Sequence, residues 1–243
     1  MPKRLRQQRA GKGTSVFRAP SFRYKYKVKY KAIDELEAQK YVEGKVVDIV
    51  HDSARSAPLM IIEYVNGKQA FLPAAYGVRV GDKVFAGAQA PIQAGNVLPL
   101  KSIPAGTEIY NIELKPGDGG KIVRAAGSFA KVVSHEEDKV IIRLPSKVFK
   151  TLNPNCRATI GVIAGFGRKE KPIVKAGKNY HIKRARGKYW PRVSAVAMNA
   201  ISHPFGGKRR STQKSKKKVA PRNAPPGKKV GSIAAKRTGR KKR

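Results

Sequence analysis

LMIIEYVNGKQAFL, residues 59–72, settles the fold class of this 243-residue chain. Two short apolar runs, with β-branched and aromatic residues, flank Asn66-Gly67. Asn-Gly between two such runs is the strongest short hairpin signal. The stretch therefore predicts a β-hairpin. Upstream, VVDIV (46–50) reads as a strand and HDSARSAP (51–58) as a turn-rich loop. Downstream, VGDKVFAG (80–87), EIYNIEL (108–114), SFAKVVS (128–134), KVIIRL (139–144), KVFKTL (147–152) and RATIGVIA (157–164) repeat the pattern. Glu136-Glu137-Asp138 reads as a further hairpin turn. In QAGNVLPLKSIPAGTE (93–108) the glycines and prolines exclude a helix. Strands of about five to seven residues, roughly ten apart and punctuated by Gly and Pro, are the pattern of small β-barrels. Short helices are expected only after Pro172 and behind Asp34, which suits an N-cap. The break at Ile103-Pro104-Ala105-Gly106 separates two barrels.

Charge divides the chain differently. Residues 1–33 hold eleven Lys or Arg and no acid, and residues 171–243 hold twenty-four and no acid. Of the net charge of +38, +35 lies in these two ends and +3 in the middle, where all fifteen acids sit. A near-neutral middle of 137 residues is long enough for a core. The ends repel themselves and suit an external polyanion. In the first, FRAPSFRYKYKVKYK (17–31) interleaves cations with aromatic rings, which suits phosphate contacts and stacking on unpaired bases. YKYKVKYK also reads as an alternating strand. The second end, rich in Gly, Pro, Ser and Ala, is expected to be disordered in free solution.

Other classes fit poorly. A membrane surface would need an amphipathic apolar stripe, which the ends lack, and no apolar run approaches the ~18–20 residues of a span. Lone Cys156 forms no intramolecular disulfide and fits a reducing compartment. Four scattered histidines, His51, His135, His181 and His203, show no metal-ligand spacing. His51-Asp52-Ser53 has the residue types of a hydrolytic triad, but adjacent loop residues reach that geometry poorly, and a turn with Asp and Ser on local backbone is the better reading. KPGDGGK (115–121) fails as a P-loop, having Lys115 and Ile122 where Gly and Ser or Thr are required. No catalytic constellation, cofactor motif or small-molecule site emerges. An RNA-modifying enzyme would need one, and a DNA-compacting protein would favour a compact basic surface over Gly/Pro-broken arms. What remains is RNA binding. Gly11-Lys12-Gly13, Gly119-Gly120-Lys121 and Gly206-Gly207-Lys208 let backbone approach phosphate beside a cation.

Several stretches resemble one family: RQQRAGKGTSVFRAP (6–20), HDSARSAP (51–58), AGNVLPLKSIPAGT (94–107), KPGDGGK (115–121), RATIGVIAGFGRKEKPIVKAG (157–177), YWPRVSAVAMNAISHPFGG (189–207) and NAPPGKKVGSIAAKRTGR (223–240). Together they are similar to the large-subunit ribosomal protein L-two family, in its archaeal and eukaryotic branch, with an archaeal member expected. The resemblance implies a mostly β fold, an OB-like barrel followed by an SH3-like barrel, with long basic irregular N- and C-terminal extensions. The corresponding division is a basic arm at 1–36, the OB-like barrel at 37–104, the SH3-like barrel at 105–176 and a basic extension at 177–243. It implies a cytoplasmic, non-enzymatic ribosome constituent without metal or cofactor. Such a protein binds large-subunit rRNA and supports assembly, subunit association, tRNA binding and the peptidyl transferase centre. Neighbouring large-subunit proteins and the small subunit are the further partners implied.

Residues expected on RNA are, from the first half, Arg4, Arg6, Arg9, Lys12, Arg18, Arg23, Arg55, Lys115, Lys121 and Arg124. From the second half come Arg157, Arg168, Lys171, Lys175, Lys178, Lys183, Arg184, Arg186, Lys188, Trp190 and Arg192. The tail adds Lys208, Arg209, Arg210, Arg222, Lys228, Lys229, Lys236, Arg237 and Arg240. Asn199, His203, Pro204, Gly206 and Gly207 match the family's Met-Asn…His-Pro…Gly-Gly loop, where His203 is expected to contact RNA or order the loop. The chain departs from the family at Ser194-Ala195, usually Arg-Gly, at Ser202, usually acidic, and at Lys208-Arg209-Arg210, usually Gly and polar residues. Arg192 and the Lys208 cluster are expected to compensate.

Overall fold

The computed structural model describes residues 3–18, 20–168, 170–207 and 219–235. The chain forms two compact units: Ser21–Val174, and a second made from both ends, Met1–Pro20 with Lys175–Arg243.

The first unit is mostly β, an OB-like barrel followed by an SH3-like barrel. Helix α1 (Arg6–Gly11) lies in the other unit; here α2 (Glu35–Gln39) follows Asp34, at one of the two places expected to be helical. Strands β1 (Val42–Val50), β2 (Leu59–Tyr64), β3 (Gln69–Pro73) and β4 (Lys83–Ala86) build the first barrel. Strands β5 (Val97–Pro99), β6 (Glu108–Tyr110), β7 (Ala130–Glu136), β8 (Lys139–Arg143), β9 (Phe149–Leu152) and β10 (Arg157–Ile160) follow. Their hydrogen-bonded order is β3-β2-β1-β4-β5-β10-β6-β7-β8-β9. The hairpin read from residues 59–72 is β2–β3, in register from Leu59–Pro73 to Glu63–Gln69. Gly67 takes φ +73° in its turn, a backbone region that a side chain would strain. Bulges between Val46 and Asp48 and between Val132 and Ser134 coil β1 and β7.

Alternation along the strands separates two cores. Val46, Met60, Ile62, Tyr64 and Leu72 pack in one, with Val97 as its last member in sequence. Leu98, Leu100, Ile103, Ile109, Ile112, Ile142 and Cys156 pack in the other. Ala90 and Leu98, on either side of Val97 in sequence, belong to the second core, so the two cores meet within residues 90–98. Each fully buried Ile or Leu contributes about 1.5–3 kcal/mol. A small cluster, Ala57, Ala75, Tyr110, Ala126 and Ile163, joins segments of the two barrels. There the Tyr110 hydroxyl donates to the Pro73 carbonyl at 3.1 Å. YKYKVKYK forms no continuous strand. Val28 and Lys29 make isolated bridges to Phe71, and Tyr30 enters the first core.

In the second unit, α3 (Ala176–Ala185) follows Pro172 as expected, while α1 was not legible. Strands β11 (Val219–Ala220) and β12 (Ser232–Ile233) pair in parallel. Among its described hydrophobic residues only Leu5, Ala220 and Val230 are buried.

Candidate nucleic-acid interface

The arm and the extension are tied by a few local bonds. The Leu5 N–H donates to Gln8 Oε1 at 2.7 Å, closing the first turn of α1. The Lys3 N–H donates to the Ile201 carbonyl at 2.8 Å, and Gln7 Nε2 donates to the Lys229 carbonyl at 2.6 Å. The Arg6 guanidinium sits 4.5 Å from the Tyr189 ring centre, and Phe17 stacks on the same ring at 5.6 Å. A cation over a phenol ring gains roughly 0.5–1 kcal/mol when exposed. At the far side, α3 ends where the Lys188 N–H turns back to the Lys183 carbonyl, at 2.9 Å.

These ties enclose a groove of about 1460 Å³. Lys3, Arg4, Arg6, Arg9, Lys12, Lys183, Lys188 and Arg192 line it, with Phe17, Tyr189 and Trp190 and no carboxylate. Eight cations without an acid focus a positive field into a cleft with low-dielectric walls. Seven of them were expected on RNA from the sequence, scattered over nearly two hundred residues; Lys3, like Tyr189, was missed. The Tyr189-Trp190 pair, isolated in a tail without apolar periodicity, was the available signal for the latter.

The Met198–Gly207 loop closes on itself beside this groove. The N–H groups of Ser202 and His203 both donate to the Asn199 carbonyl, at 2.9 and 3.2 Å, and Gly207 donates to the Met198 carbonyl at 3.2 Å. A Cβ at Gly206 would collide with the carbonyls of Met198 and Asn199, so only glycine fits. His203 Nδ1 accepts the Phe205 N–H at 3.0 Å, which requires that nitrogen to be unprotonated. Burial lowers the His203 pKa, in the same direction. His203 thus orders its loop, and its ring lines the groove. Asn199 is exposed.

Other cations stand on the surface. Arg18, Lys175, Lys178, Arg184, Arg222 and Lys228 are exposed in this unit, and Arg186 and Lys229 are half-exposed. In the barrel unit Lys115, Lys121, Arg168 and Lys171 are exposed and Arg23 half-exposed. Lys208, Arg209, Arg210, Lys236, Arg237 and Arg240 lie outside the described residues.

Three expected RNA contacts are placed otherwise. Arg157 is 4 % exposed. Its guanidinium pairs with Glu113 at 3.0 Å and Glu37 at 2.9 Å, and donates to the Lys31 carbonyl at 2.9 Å. Burial works against its charge, but the Glu113 and Glu37 carboxylates outweigh burial and raise its pKa. This arginine holds the interior rather than a phosphate. Arg55 pairs with buried Asp52 at 2.9 Å and reaches the Tyr26 carbonyl. Asp52 also accepts the Ala54 N–H, the local turn expected at His51-Asp52-Ser53. Arg124 donates to the Gly120 and Val28 carbonyls at 3.0 and 3.1 Å. Burial first, then the Arg55 charge, lowers its pKa.

The glycine loop of 115–121 also differs from expectation. The N–H groups of Gly117 and Gly119 donate to Glu113 at 3.2 and 2.9 Å. Those of Leu114 and Gly120 donate to Asp118 at 3.1 and 3.2 Å. Protein carboxylates fill the nest in which a phosphate was expected. Lys31, counted among the unpaired cations of the first end, bridges Asp34 and Glu37, both at 2.9 Å.

The family model described as Ribosomal Proteins L2, RNA binding N-terminal domain, matches residues 3–86, and that described as Ribosomal Proteins L2, C-terminal domain, matches residues 93–225. The chain is 50% identical over 242 residues to the large ribosomal subunit protein uL2 of Methanothermobacter thermautotrophicus, covering 100% of both chains. It is 50% identical to that of Methanocaldococcus jannaschii, again covering 100% of both. It is 51% identical over 240 residues to that of Haloquadratum walsbyi, covering 99% of this chain and 97% of the relative. On fold, on matched length and on identity, the chain belongs to the ribosomal protein L2 family, also called uL2.

Proposed function

We propose that the chain is a structural, non-enzymatic constituent of the large ribosomal subunit that binds rRNA in the cytoplasm. The observation that carries the reading is the acid-free groove built by arm and extension in a chain of this family. All fifteen acids lie in the barrel unit; the unit made by the two ends has twenty-nine cations and none. Ordering its backbone costs about 1–2 kcal/mol per residue. Among the described residues the buried apolar side chains are Leu5, Val230 and the small Ala220; at no more than about 1.5–3 kcal/mol each they do not offset that, so counter-charge must. RNA phosphates supply it through charge-assisted hydrogen bonds. The groove cations and the exposed Arg18, Lys178, Arg184, Arg222 and Lys228 are the phosphate contacts in this reading. Arg157 stabilises the barrels.

The same reading assigns 37–104 to the OB-like and 105–176 to the SH3-like barrel, between extensions at 1–36 and 177–243. It gives the protein a primary role in rRNA binding and subunit assembly. Support of tRNA binding and of the peptidyl transferase centre follows from extensions that thread the rRNA. Neighbouring large-subunit proteins and the small subunit complete the partners. Competition between structured large-subunit rRNA and duplex DNA tests the reading at one fixed salt concentration, since both polyanions respond steeply to salt. rRNA is expected to displace DNA; equal competition would contradict the reading.

A further inference from the structure

We propose that the groove holds an unpaired RNA nucleotide, its base stacked on the Trp190 indole and its phosphates on the flanking cations. The proposal rests on the rRNA-binding reading and narrows it to one nucleotide position. Trp190 is the only tryptophan in the chain. Its side chain is half-buried and lines the groove. Among the described residues the indole has neither a ring partner nor a hydrogen bond. Its neighbour Tyr189 is the opposite case: Arg6 and Phe17 both engage that ring. Tyr189 therefore fastens the arm, and Trp190 is the aromatic surface left for a ligand.

The surroundings decide what that ligand is. Lys188 and Arg192, two residues to either side, are exposed and line the same groove. An apolar partner would leave these charges uncompensated, and an acidic peptide would leave the indole uncovered. A nucleotide satisfies both, since every base has a π face and every linkage a negative charge. The base must be unpaired, because a duplex hides its base faces until they are unstacked. At about 1460 Å³ the groove exceeds the roughly 300–1,000 Å³ of small-molecule pockets and accommodates a length of strand.

A single tryptophan makes emission a reporter of this site alone. The full-length chain is titrated with an unstructured RNA of roughly ten nucleotides, and with a duplex RNA of the same sequence. The single strand is expected to quench Trp190 in proportion to binding, and the bound duplex is not. Trp190→Ala is expected to lower single-strand affinity roughly ten-fold. Trp190→Phe, which keeps a stacking face, restores most of it, and duplex affinity is unchanged in both variants. Unquenched emission on a bound single strand, with Trp190→Ala binding as wild type, would overturn the stacking and leave the rRNA reading standing. Equal loss of single-strand and duplex binding in both variants would make the indole a structural support and also overturn it. Failure of wild type to bind any RNA would remove both readings.

Discussion

Arg157 and Arg192 have the same side chain and opposite roles. Arg157 sits between Glu113 and Glu37 at 4 % exposure, with Tyr30 beneath its guanidinium at 5.1 Å. Removing it leaves buried Glu113 without a cation and Glu37 with Lys31 alone, a loss of about 3–5 kcal/mol. Arg192 is exposed in a groove without acids. Urea unfolding is therefore expected to shift strongly for Arg157→Ala and by less than about 0.5 kcal/mol for Arg192→Ala. Arg192→Ala is expected instead to weaken rRNA binding and reduce the slope of log K against log salt by about 0.7–0.9. Similar stabilities for the two variants would refute the assignment. The sequence did not separate these arginines, because Glu113 and Glu37 lie 44 and 120 residues from Arg157. Only folding reveals that pairing, whereas Arg192 stands in a stretch with no acid to find. Lys31 illustrates the same limit: its acid partners were in view at 34 and 37, but its burial was not.

At the scale of elements, locally encoded pieces were legible. The Asn66-Gly67 hairpin and the turn at Glu137-Asp138 depend on neighbouring residues, and helices stand after Asp34 and Pro172 as expected; the Asp34 carboxylate, however, makes no cap bond and is held by Lys31, Asn66 and Lys68. Helix α1 was not, since RQQRAG has no apolar period. It is held by Lys3, Gln7 and Arg6 reaching Ile201, Lys229 and Tyr189. The same dependence runs in reverse: the Tyr189 segment and the Met198–Gly207 loop use the arm as support. Deleting residues 1–18 is expected to speed tryptic cleavage at Lys188 and Arg192 while cleavage within the barrels stays unchanged. Unchanged cleavage at both sites would show that the extension holds its shape without the arm. The glycine loop at 115–121 was legible as a turn but misread as a phosphate cradle. At 115–121 the chain's own Glu113 and Asp118 take the amides that a phosphate would take.

Across the whole molecule, the division by charge is sharper than the sequence suggested. Arg23, Lys25, Lys27, Lys29, Lys31 and Lys171 fall within the barrel unit, leaving the other unit with twenty-nine cations and no acid. One unit has two apolar cores and internal ion pairs; the other has, among its described residues, three buried apolar side chains and a cationic groove. The first is stabilised by its own burial, and in the proposed reading the second is stabilised by RNA. The central claim is that this protein resides on the large ribosomal subunit. Its most direct test is sedimentation of a native cell extract through a gradient, with the protein detected in every fraction. Co-migration with the large subunit and with whole ribosomes, surviving moderate salt, is the predicted result. A slow, ribosome-free peak would contradict it.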